Sequence, residues 1–315
     1  MKILPYSVEK QLSTAEKIQY YNKLSQYCKE LSLSIPSNIS LGQQAISKIY
    51  MKDFYNSLLE IEGIENLPKN TPAIILCNHS TAHDIFSMYI AMAKLGLPTS
   101  VMVATDCLSP FSKAVFASAK SVFLNRNDKI SSSNSILQAS ATLLAGKYLV
   151  VFGESTWNLH PTKAMQDIKK GSSMISAITE LPVIPAILEY IENPSVVENE
   201  KEIYKKIILR FGKKYETMPT DDISLKTLEI QNQMEEMRKS IWIENNINRT
   251  DISFVNPMIY LNHTYFKKYG VFGFTYHSEY ESQFLRSNTG DAIENEYCIN
   301  ANNEFVPGIT YKKRK

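Results

Sequence analysis

The chain has 315 residues, 44% apolar and 21% charged, enough for one large domain or two modest ones. Its 34 Lys and Arg against 32 Asp and Glu leave a net charge of +2, which excludes both the basicity of a general nucleic-acid binder and the imbalance of an acidic disordered tail. With 11 Gly, 13 Pro and 10% aromatic residues, the composition excludes collagen-like and low-complexity chains and can fill a sizeable core.

Residues 1–60 read as a helical, tyrosine-rich N-terminal extension. Tyr21, Leu24, Cys28 and Leu31 share one helical stripe, Ile46, Tyr50, Phe54 and Leu58 another, and Ser34-Ile35-Pro36-Ser37-Asn38 breaks the two apart. Their polar faces are not dominated by Lys and Arg, so capping a core suits them better than lying on lipid. From Thr71 short apolar runs alternate with helical stretches, the pattern of an α/β fold with a mostly parallel sheet covered by helices. Strands are predicted over 73–77, 100–104, 121–124, 148–152, 183–189 and 206–211. Helices are predicted over 85–95, 131–145, 163–179 and 224–246. In the third of these Ala164, Ile168, Ile175 and Ile178 share a face, and in the fourth Ile230, Met234, Met237 and Ile241 form a stripe that reads as core. Three segments are therefore expected: the extension over 1–60, the α/β domain over 61–250, and a C-terminal extension over 251–315 ending in the basic Lys312-Lys313-Arg314-Lys315. No internal repeat is evident.

No apolar run approaches the roughly 18 residues of a membrane span, since Ile85 to Leu97 is cut by Ser87, Lys94 and Gly96. Cys28, Cys77, Cys107 and Cys298 form no Cys-x-x-Cys pair, and no apolar signal segment follows the first residues. A reducing cytoplasmic setting is expected, with any membrane contact peripheral, on the inner face.

In an α/β sheet the chemistry sits beyond the carboxyl ends of the strands. The first of these predicted strands ends in Asn78-His79-Ser80-Thr81-Ala82-His83-Asp84, where a histidine on the turn can fold back onto a carboxylate in the first helical turn. Such a carboxylate sets the imidazole tautomer and leaves the other nitrogen to take a proton from an alcohol. The next two sites are strands that each deliver a charge at their end, Arg126 after Ser121 to Asn125 and Glu154 after Phe152-Gly153. A guanidinium so placed suits phosphate.

These residues resemble the motifs of the glycerolipid and lysophospholipid acyltransferase family, which includes the enzymes that acylate glycerol 3-phosphate and 1-acylglycerol 3-phosphate. Asn78, His79 and Asp84 match its first block. Ser121 to Arg126 resembles the second, Phe152-Gly153-Glu154-Ser155-Thr156 the third, and Leu181-Pro182-Val183-Ile184-Pro185-Ala186 the fourth, with Lys169-Lys170-Gly171-Ser172 leading into it. The family's third block reads Phe-Pro-Glu-Gly-Thr-Arg; here Gly153, Ser155 and Trp157 replace its proline, glycine and arginine.

The resemblance implies a glycerol-3-phosphate acyltransferase-like fold and acyl transfer from a thioester donor, acyl-CoA or acyl carrier protein, to the hydroxyl of a lysophospholipid or glycolipid acceptor. His79 is the implied general base and Asp84 its orienting carboxylate. Arg126 would hold acceptor phosphate, with Gly153, Glu154, Ser155, Thr156 and Trp157 forming the acceptor loop. No metal, cofactor or nucleic-acid partner is expected, the thioester being a co-substrate.

Plainer readings stand beside these. His79 and His83 have the i, i+4 spacing of metal ligands but lack a third, since His160, His263 and His277 are remote. Neither Ser80 nor Ser155 lies in Gly-x-Ser-x-Gly, which argues against a serine hydrolase. Arg126 can be a structural ion-pair residue, Trp157 a core residue, and Cys77 and Cys107 small apolar core residues. The altered third block also admits a non-catalytic lipid or acyl-chain binder on the same fold.

Overall fold

A computed structural model of the chain describes residues 1, 3–51, 58–80, 84–105, 108, 110–126, 128–155, 158, 163–192, 204–247, 297–299 and 305–307. The N-terminal helices are α1 (Tyr6–Glu9), α2 (Thr14–Ser32) and α3 (Leu41–Met51). A capping box starts α2: the Ser13 side chain accepts the Glu16 N–H and the Glu16 carboxylate accepts the Ser13 N–H. Its stripe of Tyr21, Leu24 and Cys28 is buried against Leu137, Ala141, Ala177 and Ile178, so this helix caps protein core. On α3, Ile46 is buried; Phe54 lies outside the described residues. A Cβ on Gly42 would stand 2.2 Å from the backbone of Ser118, so glycine is what lets α3 press so close.

The remaining elements are β1 (Leu59–Glu62), β2 (Ile74–Cys77), α4 (Asp84–Lys94), β3 (Thr99–Ala104), α5 (Pro110–Ser118), β4 (Val122–Leu124), α6 (Lys129–Leu144), β5 (Tyr148–Phe152), α7 (Gly171–Thr179), β6 (Val183–Glu192), β7 (Tyr204–Phe211), α8 (Ile223–Glu244), and the small hairpin β8 (Tyr297–Ile299) and β9 (Phe305–Pro307). Seven strands form one sheet in the order β1-β7-β6-β2-β5-β3-β4. From β6 to β4 all neighbours are parallel; β7 is antiparallel to β6, and β1 runs parallel to β7.

Period-two alternation divides the core between the two faces of the sheet. Ile75, Cys77, Val150 and Ile184 share one cluster with Met88 and Met92 of α4, while Ile74, Leu76, Leu149 and Ile187 share another with Leu143, Ile175, Ile230 and Met234 of α6, α7 and α8. Every residue of β2 is buried, as a central strand covered on both faces requires, which is why it reads as an unbroken apolar run.

All six expected strands form, within a few residues of their predicted ends. Some features differ from expectation, among them the β8–β9 hairpin in the C-terminal extension. β1 crosses the 60/61 boundary and pairs with β7, and α5 was not anticipated. The helix expected over 163–179 begins only at Gly171. Residues 163–170 are irregular because other groups take their backbone: the Glu154 carboxylate accepts the Gln166 N–H at 2.6 Å, and the Asn158 amide donates to the Lys163 carbonyl at 3.0 Å. Ala164 and Ile168 are buried all the same, held from a loop rather than a helix.

Candidate active site

Parallel register assembles the site. Cys77 pairs with Phe152 on β5 and with Ala186 on β6, so 78–80 and 153–155 leave the sheet side by side. Gly153 extends the ladder by donating its N–H to the Cys77 carbonyl at 3.1 Å. A Cβ there would come 2.8 Å from Leu76 and 3.1 Å from Ile168, so the departure to glycine in the third block is also a packing requirement.

Asn78 is fully buried and turns its amide to β6, donating to the Leu188 carbonyl at 3.0 Å and accepting the Leu188 N–H at 2.7 Å. That clamp fixes the path of the next two residues. His79 is 15% exposed at its side chain, and its Nδ1 lies 2.8 Å from Asp84 Oδ2. Asp84 opens α4, where the positive end of the helix favours its charge, and the same oxygen accepts the Ser80 N–H at 2.5 Å. Phe152 stacks on the imidazole with ring centroids 4.5 Å apart.

Glu154 is buried behind this pair. Its two oxygens accept one backbone N–H each, from His79 at 2.8 Å and Gln166 at 2.6 Å. Burial pushes its carboxyl up to about 7, against the lowering effect of Arg238 and those two N–H groups. Arg238 of α8 is 4% exposed; it donates to Glu189 at 2.6 Å, to the Ala164 carbonyl at 2.7 Å and to the Ser80 hydroxyl at 3.0 Å. One guanidinium thus ties α8, β6, the irregular 163–170 segment and the turn that carries His79.

A cavity of about 440 Å³ opens in front of His79. Of the residues expected from sequence, His79, Arg126, Gly153 and Ser155 line it, while Asp84 and Glu154 support it from behind. Arg126 reaches the third block itself, donating to the Ser155 carbonyl. Ser155 holds a left-handed φ of 60°, a conformation that favours glycine and explains why a glycine suits this position of the block. Thr156, Trp157, His83, His160, His263, His277, Cys107 and the basic Lys312 to Lys315 tail lie outside the described residues.

Sequence reasoning missed Arg238, Asn158 and Gln166. Arg238 left a signal, since Ile230, Met234 and Arg238 follow one another at i+4 spacing and put a cation on the buried stripe of α8. The other two act through contacts between loops, the Asn158 side-chain amide on the Lys163 carbonyl and the Gln166 N–H on Glu154, and left none.

A family model described as Acyltransferase matches residues 58–189. This segment belongs to the acyltransferase family. The acyltransferase segment contains His79, Asp84, Arg126 and Glu154, whereas Arg238 lies beyond it. Among solved structures, the chain is similar to the 1-acyl-sn-glycerophosphate acyltransferase PlsC from Thermotoga maritima, at 18% identity and a TM-score of 0.46, over 63% of this chain and 79% of that one. No curated protein matches. Among the described residues, no helix is long and apolar enough to cross a membrane.

Proposed function

We propose that the chain transfers an acyl group from a thioester to a hydroxyl, with His79 as general base. The observation that carries this reading is the 2.8 Å contact between His79 Nδ1 and buried Asp84, with His79 at the wall of the cavity. With Nδ1 committed to Asp84, Nε2 is the nitrogen that takes the acceptor's proton. The alkoxide attacks the thioester carbonyl; the tetrahedral intermediate then expels the thiolate, which recovers the proton from the imidazolium. Asp84 stabilises that imidazolium while the proton is held.

The acceptor best suited to the site is a lysophospholipid, with a glycolipid hydroxyl next, and the donor is acyl-CoA or acyl carrier protein. The apolar walls, Met102, Val103, Leu124, Ile136 and Val151, suit an acyl or lipid chain. The setting this reading assumes is a cytoplasmic chain meeting the inner face of a membrane from one side.

The test is thiol release from a labelled acyl-CoA in the presence of lipid acceptors, with identification of the labelled product. His79→Ala is expected to lower the rate by a factor of about 10² to 10⁴ without unfolding the chain. A non-catalytic lipid binder would release no thiol in the parent, and that result would reject the reading.

A further inference from the structure

The cavity in front of His79 also receives the first turn of α7, whose Gly171 and Ser172 line it. The leading N–H groups of a helix have no intrahelical partner and carry the positive end of its dipole. Here the N-cap residue, Lys170, supplies no side-chain acceptor to them. A Cβ built on Gly171 would meet nothing within 4 Å, so the approach to this turn is open.

A second observation is independent of the helix. Ser172 is 1% exposed, it lines the same cavity, and among the described residues its hydroxyl has no hydrogen-bond partner. A buried hydroxyl left unpaired is costly, and a ligand oxygen would satisfy it. The Lys, Arg, Asp and Glu side chains that line the cavity have one sign. Lys169 and Arg126 line the cavity, and no Asp or Glu among the described residues does. The adjacent Lys170 is engaged elsewhere, with its ammonium 3.5 Å from the centre of the Tyr6 ring.

We propose that this end of the cavity is a phosphate-ester subsite, built from the Gly171 and Ser172 N–H groups, the Ser172 hydroxyl and Lys169, with Arg126 on the wall of the same cavity. Backbone donors at a helix start and a flexible ammonium are a recurrent way to hold such a group. The site supplies the second cation that Trp157 does not. This inference rests on the acyltransferase reading for the origin of the phosphate, which is either the acceptor headgroup or the phosphates of coenzyme A.

Calorimetric titration of the full chain with sn-glycerol 3-phosphate in one arm and coenzyme A in the other tests it. Ser172→Ala and Lys169→Gln are each expected to weaken binding about fivefold or more. Lys170→Gln should leave it unchanged. Ser172→Ala should also raise the melting temperature of the free chain, because it removes an unpaired hydroxyl while weakening the complex. Binding in the first arm assigns the phosphate to the acceptor, and in the second to the donor. Absence of binding in both arms, or affinities indifferent to Ser172 and Lys169, overturns the subsite. Thiol release is measured on the same variants with an acceptor that lacks phosphate. A parent that binds phosphate through Ser172 yet releases no thiol leaves the subsite standing and rejects only the activity.

Discussion

Arg238 donates to the hydroxyl of Ser80 at 3.0 Å, joining two residues 158 positions apart. Ser80 in turn donates its N–H to Asp84, so a cation on α8 is two hydrogen bonds from the carboxylate that holds His79. The ion pair between Arg238 and Glu189, at 2.6 Å, has both side chains at 5% exposure or less. An ion pair at this depth is costly to break from one side, because the remaining charge stays buried.

Arg238→Ala is therefore expected to destabilise the fold by about 3–5 kcal/mol, read by denaturant titration. The double variant Arg238→Met with Glu189→Leu should recover most of that stability, since no lone charge remains. Its thiol release should stay below that of the parent, with the loss in kcat rather than KM, because Ser80 then keeps only the Asn78 amide as a donor and loses its tie to α8. Full activity in the double variant would show that Arg238 serves folding alone.

Asp84→Asn keeps the shape of the side chain and removes the charge beside Nδ1. Loss of the imidazolium's partner is expected to lower the rate of thiol release by a factor of about 10² to 10⁴. The check is a pH–rate profile on folded protein, with retention of full activity arguing for a different base. His83→Ala, the neighbouring histidine, should remain active.

Glu154 links stability to pH. Its carboxyl is raised from 4.5 to about 7 in the folded chain, first by burial, so the folded state holds that proton more tightly than the unfolded one. Its contribution to stability is then fully present below about pH 4.5 and is lost as pH rises through about 7. Glu154→Gln should flatten this slope. It should also lower stability by about 1–3 kcal/mol at acid pH, because an amide cannot accept at both positions and one backbone N–H loses its partner. Unfolding midpoints across that pH range check both effects.

Trp157 stands where the acyltransferase motif has arginine. Trp157→Arg is expected to improve use of 1-acylglycerol 3-phosphate, by about tenfold for a charge-assisted contact of about 1.5 kcal/mol, and to impair the native acceptor. Acceptor competition on parent and variant measures it. Strong parental use of 1-acylglycerol 3-phosphate, unaltered by the change, would show that this position carries no acceptor information.

Local order made much of this protein legible from its amino acids. Short apolar runs located six strands, because a central strand such as β2 must be apolar on both faces. The pairing of His79 with Asp84 was equally readable, since five positions across a strand-to-helix turn bring them within hydrogen-bond reach. What tertiary structure decided depends on groups distant in sequence. The stretch 163–170 has helical periodicity, yet Glu154 and Asn158 take its backbone and it stays irregular. The strand β1 finds its place only through β7, some 148 positions later, as the contact between Glu62 and Arg210 shows. Glu154 looked like an acceptor-loop residue and proves to be a buried brace, because the parallel register of β2 and β5 sets its carboxylate beneath the His79 backbone. Arg238 joined the site by packing alone: a helix stripe shows which residues face inward, and only the assembled core determines what a buried cation meets there.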